Sequence, residues 1–291
     1  MKWSRFLPAA LRPRPEPRQQ LLASLLQLAW VVEARDPYTG GHLWRVAQFS
    51  RLLAQAAGLS EADVARVALG GFLHDLGKIA IPDAILGKKE RLNEEEYAVI
   101  RTHPESGLRL LGPHPLAQLA RDAVLLHHET PDGNGYPYGL RSEAIPQVAR
   151  IVGICDAFDA MTSSRPYRSG MPISKALSII RLELGRQFDA ELGELFLALG
   201  EGEALAHIVG HTDEGIPLER CLSCGPTVLR TREAKPGDVL YCPACHSEYT
   251  LAPAGAGLVP SGRKDSARAL SMAPDTALIE RLVEQHRAAL A

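Results

Sequence analysis

The chain has 291 residues, 46% of them apolar and 5% aromatic, and its 32 Lys and Arg nearly cancel 34 Asp and Glu to leave a net charge of -2. That length holds one large domain, or one large and one small. With the charges balanced, no global field recruits nucleic acid or an anionic membrane surface, so any anionic ligand must be held by a local site.

Residues 1–18 are rich in Pro and Arg and lack apolar periodicity, which reads as a disordered leader. The longest apolar run, Leu21 to Val32, is about half of the ~20 residues a membrane-spanning helix needs. It continues into Glu33-Ala34-Arg35-Asp36 without a small-residue cleavage site, so neither a membrane span nor a signal peptide is expected. Residues 19–205 are repeatedly helical in pattern. Leu21, Leu25, Leu28 and Val32 mark one face, and Val46, Phe49, Leu52 and Leu53 another. Turn signals at Asp36-Pro37, Ile81-Pro82-Asp83, Gly112-Pro113 and Pro131 to Pro146 separate the helices, and strand signals are sparse. The expectation is a single all-α domain.

Residues 216–252 change character, with β-prone runs Thr227 to Leu229, Val239 to Tyr241 and Glu248 to Thr250. Four of the five cysteines lie here, as Cys221-x-x-Cys224 and Cys242-x-x-Cys245 with seventeen residues between the pairs, inside the spacing of a four-cysteine zinc site. The segment resembles a zinc ribbon, a module too small to bury much core, in which one structural zinc supplies the folding energy. Four thiolates complete that set, so His246 is not expected as a ligand, and Cys155 reads as a small buried apolar residue. Arg220, Arg230, Arg232 and Lys235 are too few to predict nucleic acid as a partner; protein contacts through the ribbon or the C-terminal helix fit better, and a homodimer stays open. Residues 253–274 read as a flexible linker and 275–291 as a short helix. Paired thiols without an export signal suit the cytoplasm.

Seven residues in the helical region carry metal-ligand chemistry: His42, His74, Asp75, His103, His127, His128 and Asp156. Any one alone is weak evidence, but the adjacent pairs are informative. Neighbouring helical residues diverge by ~100° and cannot easily both face one small ion, whereas two ions ~3.5–4 Å apart make the spacing useful, with one carboxylate as bridge. Asp75 is the natural bridge. The expected sets are His42, His74, Asp75 and Asp156 for the first ion, and Asp75, His103, His127 and His128 for the second. Imidazoles mixed with carboxylates suit iron, manganese, nickel or zinc over an oxygen-only magnesium or calcium site, and iron or manganese is the expected occupant. A water bridging such ions supplies a hydroxide nucleophile near neutral pH, which predicts hydrolysis of a phosphodiester. Lys78 falls on the His74 face if the helix persists across Gly77, where it could meet charge developing on the phosphate; otherwise it is a solvated lysine.

The motifs His74-Asp75-Leu76-Gly77-Lys78, Ile81-Pro82-Asp83, His103-Pro104, His127-His128-Glu129, Asp132-Gly133-Asn134-Gly135-Tyr136-Pro137, Asp156 to Thr162 and Arg165-Pro166-Tyr167-Arg168 together resemble the HD-GYP family over roughly residues 20–200. The resemblance implies a helical HD-superfamily fold and cleavage of cyclic di-GMP to pGpG, in some members on to GMP. Family ligands map onto the same seven residues, Lys78 maps to a phosphate-contacting position, and Tyr136, Arg165 and Arg168 map to the substrate face. Family members that look like three-metal enzymes carry a Glu four residues before the first His, where this chain has Tyr38, so two metals and a stop at pGpG are expected; Glu33, nearby in sequence, keeps a fuller site open. Glu129 and Asp159 either orient a metal-bound histidine or are helix-surface charges. Two alternatives accompany the phosphodiesterase reading: a catalytically weak module that binds cyclic di-GMP and signals through protein contacts, and an HD phosphohydrolase for another nucleotide.

Overall fold

The computed structural model describes residues 16–35, 41–88, 90–163, 170–213, 216–217, 219–225, 227–228, 230, 233–253, 257–269, 271 and 276–290. Tyr38, Arg165 and Arg168, on which the metal count and part of the substrate face were argued, lie outside the described residues.

Among the described residues ten α-helices run from Pro17 to Gly200: α1 (Pro17–Arg35), α2 (His42–Ala56), α3 (Glu61–Leu73), α4 (Asp83–Leu86), α5 (Glu94–Ile100), α6 (His103–Leu111), α7 (Arg121–Leu126), α8 (Gln147–Thr162), α9 (Ile173–Leu182) and α10 (Ala190–Gly200), with a 3-10 turn over Leu76–Ala80. Their starts are written in the sequence. The Ser60 side chain accepts from the Asp63 N–H ahead of α3, Asn93 and Glu96 form a reciprocal capping box on α5, and Asp189 caps α10 through Leu192 N–H. Pro146 and Pro172 immediately precede α8 and α9.

α2 packs against α3, α8 and α10. Phe49 of α2, Phe158 of α8 and Phe196 of α10 meet edge to face, with ring centroids 5.0–6.4 Å apart, and all three are fully buried. This aromatic knot sits under the helix segments that carry His42 and Asp156, fixing one against the other. On α1 the buried face is Leu22, Leu25, Leu26, Ala29 and Val32, with Leu21 and Leu28 only partly buried. The apolar stripe is thus rotated from the one read by periodicity, because α1 is also covered by α12 (Thr276–Gln285), whose Leu278, Ile279 and Leu282 join the same core. A closing 3-10 turn, Arg287–Leu290, packs on α3.

Between α10 and α12 the chain forms short antiparallel pairs, β1 (His211–Asp213) with β2 (Ile216–Pro217) and β3 (Glu219–Arg220) with β4 (Thr227–Val228). A three-stranded antiparallel sheet follows, of β5 (Val239–Tyr241), β6 (Ser247–Leu251) and β7 (Leu258–Lys264). Cys221, Val228, Cys242, Tyr249, Leu251 and Leu258 make a small core of their own. The segment 253–274, read from sequence as linker, therefore contains a strand, β7, and a helical turn, α11 (Ser266–Ala269). Only Leu258 of β7 is buried, so the strand has no apolar alternation to betray it; backbone pairing with β6 makes it a strand, and Pro260 is tolerated because β7 is an edge. No helix among the described residues is long and apolar enough to cross a membrane.

Candidate metal centre

His42 is the first residue of α2, His103 the first of α6, and Asp156 sits on α8. The adjacent pairs lie where helices end: His74-Asp75 follows α3 and His127-His128 follows α7. Gly77 explains how the two ends approach: a Cβ there would run into the backbone of His103 and Gly107, so a side chain at this position would push the 3-10 turn away from α6.

The seven residues converge. Asp75 Oδ2 lies 3.5 Å from His42 Nε2 and 3.4 Å from His74 Nε2, while Asp75 Oδ1 lies 3.5 Å from His103 Nε2. Asp156 Oδ1 is 3.5 Å from His42 and 3.7 Å from His74. His103, His127 and His128 gather their ring nitrogens within 4.8 Å of one another, as do His42 and His74 with Asp75.

Tautomers follow from the outer contacts. Nδ1 of His74, His103 and His127 lies 2.7–2.8 Å from the carbonyls of Gly71, Ile100 and Ala123, and a carbonyl only accepts. Each Nδ1 therefore carries a proton, and in the neutral ring Nε2 presents a lone pair. His42 Nδ1 likewise donates to Asp159 Oδ2 at 2.8 Å. Yet the Nε2 atoms face each other, His42 to His74 at 3.3 Å and His103 to His127 at 3.2 Å, with carboxylate oxygens beside them. Acceptors aimed at acceptors in a buried site call for cations between them. The donor set thus fits a pair of divalent transition metals.

In the bare chain, protons answer part of that need. Burial pulls His74 down, but the carboxylates of Asp75 and Asp156 prevail and raise it to about 10. His42 is raised in the same way, burial being outweighed by Asp159 and Asp75. Burial and the neighbouring His103 push His128 down to about 3, and burial with His128 holds His127 well below its usual value. Burial alone would raise Asp75, but Lys78 and His74 hold it well below the carboxylate range.

The α-helix does not persist across Gly77, so Lys78 is not on the His74 face. The tighter 3-10 turn instead sets its Nζ 2.7 Å from Asp75 Oδ2. One Glu33 oxygen accepts the Leu43 N–H at 2.9 Å, capping α2 from a neighbouring helix where Gly41 has no side chain to do so. Asp159 is buried and grips both His42 and Arg45, whereas Glu129 turns to the loop after α7 and accepts from Tyr138 and Leu140 N–H at 2.7 and 2.9 Å.

A cleft of about 540 Å3 opens over His127, His128 and Asp156. The Tyr136 ring stacks on His128 with centroids 4.6 Å apart, and the Arg101 guanidinium lies 4.8 Å above the Tyr136 ring. In the C-terminal module, Cys221 Sγ is 3.5 Å from both Cys224 and Cys245, and Cys224 is 3.6 Å from Cys242. Four thiolates on a tetrahedral zinc at ~2.3 Å stand about 3.8 Å apart, so this cluster fits such an ion. Burial raises Cys221, but the Tyr249 hydroxyl, 3.0 Å from its sulfur, and backbone N–H groups bring it down to about 6. Cys155 is fully buried in the helical core.

The sequence profile of the HD domain matches residues 26–192, more than half of the chain. The chain belongs to the HD-domain family. It is 42% identical over 168 residues to the cyclic di-GMP phosphodiesterase response regulator RpfG of Xanthomonas campestris pv. campestris, covering 57% of this chain and 44% of that protein. It is 40% identical over 169 residues to a cyclic di-GMP phosphodiesterase of Thermotoga maritima, covering 57% and 46%. A 3'3'-cGAMP-specific phosphodiesterase 2 of Vibrio cholerae is 38% identical over 172 residues, covering 58% and 33%. The chain spans less than half the length of these relatives.

Within the HD domain, sequence reasoning missed Arg45 and Arg101. Arg45 follows His42 by three residues, a helical turn on, and is buried with two nitrogens on Asp159 at 2.6 and 3.0 Å. Arg101 stands two residues before His103, and only the fold brings it over Tyr136.

Proposed function

We propose that this HD-domain chain is a metal-dependent phosphodiesterase that hydrolyses cyclic di-GMP to pGpG. The carrying observation is the Asp75 carboxylate, which faces His42 and His74 with one oxygen and His103 with the other. One carboxylate spanning two imidazole groups is the arrangement a binuclear site needs. His42, His74, Asp75 and Asp156 would hold one ion, and Asp75, His103, His127 and His128 the second, with iron or manganese suited to the donors. Two such ions, when bound, supply Lewis acidity to phosphoryl oxygens and a water deprotonated near neutral pH.

The chain's own residues do the rest. Asp159 fixes the His42 proton on Nδ1 and keeps Nε2 free to ligate. Lys78, paired with Asp75 at 2.7 Å, would meet charge developing on a phosphate oxygen. Tyr136 offers an aromatic wall at the cleft, and Glu129 holds the loop that follows it by two backbone bonds. The family resemblance adds Arg165 and Arg168, which lie outside the described residues, as forked donors to phosphate or a guanine edge. The four cysteines hold one structural zinc, and the paired thiols suit a cytoplasmic setting. We take residues 19–205 as the catalytic domain and the segment from 216 through β7 as the ribbon.

The test is pGpG formation by wild type and Asp75→Ala, each loaded with iron or manganese. Product from the wild type and none from the variant is expected; no product from any metal form would sink the proposal. The relative named for 3'3'-cGAMP supports that dinucleotide as a second reading, and the same assay run on it decides between the two.

A further inference from the structure

The cleft wall beside His128 is built by the C-terminal end of α5 and the loop after α7. Arg101 caps the C-terminus of α5, one helical turn after Tyr97; both line the cleft, and both are exposed, Tyr97 to 49%. The Arg101 guanidinium lies 4.8 Å above the Tyr136 ring, which itself stacks on His128. Among the described residues no carboxylate pairs with Arg101; the Tyr136 face is its ring contact. A planar cation is therefore held at the cleft by an aromatic face, with its N–H groups uncommitted to any acid.

A phosphodiester seated over His127, His128 and Asp156 would send a flanking base toward this wall. There it would meet the exposed Tyr97 ring for stacking, which any base can use, and the edge of the guanidinium seated on Tyr136, which discriminates. Guanine shows two acceptors, O6 and N7, on the edge that a guanidinium can fork; adenine shows N7 beside an amino donor, which would face a second donor. We propose that Arg101 reads the O6/N7 edge of a guanine stacked on Tyr97, and so makes the site prefer guanine over adenine in a cyclic dinucleotide. This rests on the cyclic dinucleotide reading and names the residue that selects the base.

The experiment measures kcat/KM for cyclic di-GMP and cyclic di-AMP with wild type, Arg101→Ala, Arg101→Met and Tyr97→Ala. Wild type should prefer cyclic di-GMP, and both Arg101 variants should lower that preference about ten- to a hundredfold, the discrimination one forked contact supplies. Tyr97→Ala should raise KM severalfold for both substrates and leave their ratio unchanged. Equal losses on both substrates in the Arg101 variants, with the ratio within twofold of wild type, overturn the assignment, as does a wild type indifferent to the base. Arg101→Met keeps the side chain's length, so a folding defect confined to Arg101→Ala leaves the ratio measurable. A wild type that cleaves neither dinucleotide rejects the phosphodiesterase proposal itself, and this one with it.

Discussion

Asp159 Oδ2 accepts the Nδ1 proton of His42 at 2.8 Å, from a carboxylate that is almost wholly buried. The same carboxylate takes Arg45 Nε at 2.6 Å on its other oxygen and Ser163 Oγ at 3.1 Å. A buried anion is thus balanced by a buried guanidinium, and the imidazole between helix and cluster has one orientation. Asp159 is a positioning residue: it acts through His42.

Asp159→Asn should lower affinity for the metal beside His42 by about 10- to 100-fold, the usual effect of removing the partner that orients a ligating histidine. Competition against a fluorescent chelator measures it. Asp159→Ala should in addition cost about 3–5 kcal/mol of stability, because the Arg45 guanidinium stays buried after losing the carboxylate that takes two of its nitrogens.

Metal loading should release protons even in alkaline buffer. His74, raised to about 10 in the bare chain, is protonated at pH 8, and a ligating imidazole must be neutral. At least one proton per chain should appear when manganese is added at pH 8, read by calorimetry in buffers of different ionisation enthalpy. Affinity should climb with pH toward about 10. Loading without proton release would contradict His74 as a ligand.

Glu33 offers a pH signature of its own. Burial raises its carboxyl to about 7 while one oxygen caps α2 at Leu43 N–H. A folded pKa above the unfolded value means the native state binds the proton more tightly, so this contribution is complete below about 4.5 and is lost as pH rises through 7. Glu33→Gln keeps an acceptor and removes the titration. It should raise the unfolding midpoint more at pH 8 than at pH 5; a pH-independent change would contradict the account.

Zinc should hold the ribbon alone. Thiol modification with a mercurial should release one zinc per chain, read with a chromogenic chelator, and abolish structure around Tyr249. The helical circular dichroism should persist, since the ribbon's buried residues form a core separate from that of α1–α10.

The clustering of the seven candidate ligands was legible in sequence because their residue types are ones that a solvated surface rarely strings together in that order. The helical pattern was legible because amphipathic faces such as Val46, Phe49 and Leu53 survive folding as written. Less legible were features set by tertiary approach. The α1 stripe was rotated by a helix more than 200 residues away in sequence, β7 hid behind an exposed pattern, and Lys78 reached Asp75 because the helix gives way to a 3-10 turn at Leu76. Arg45 and Arg101 carry no local signal, since their meaning comes from Asp159 and Tyr136, each distant in sequence.

The most direct test of a binuclear phosphodiesterase is a titration of manganese into chain stripped of its HD-site metals, with pGpG formation from cyclic di-GMP as the readout. The account predicts activity that rises to a plateau at two equivalents per HD domain. Full activity at one equivalent, or none at any, would contradict it.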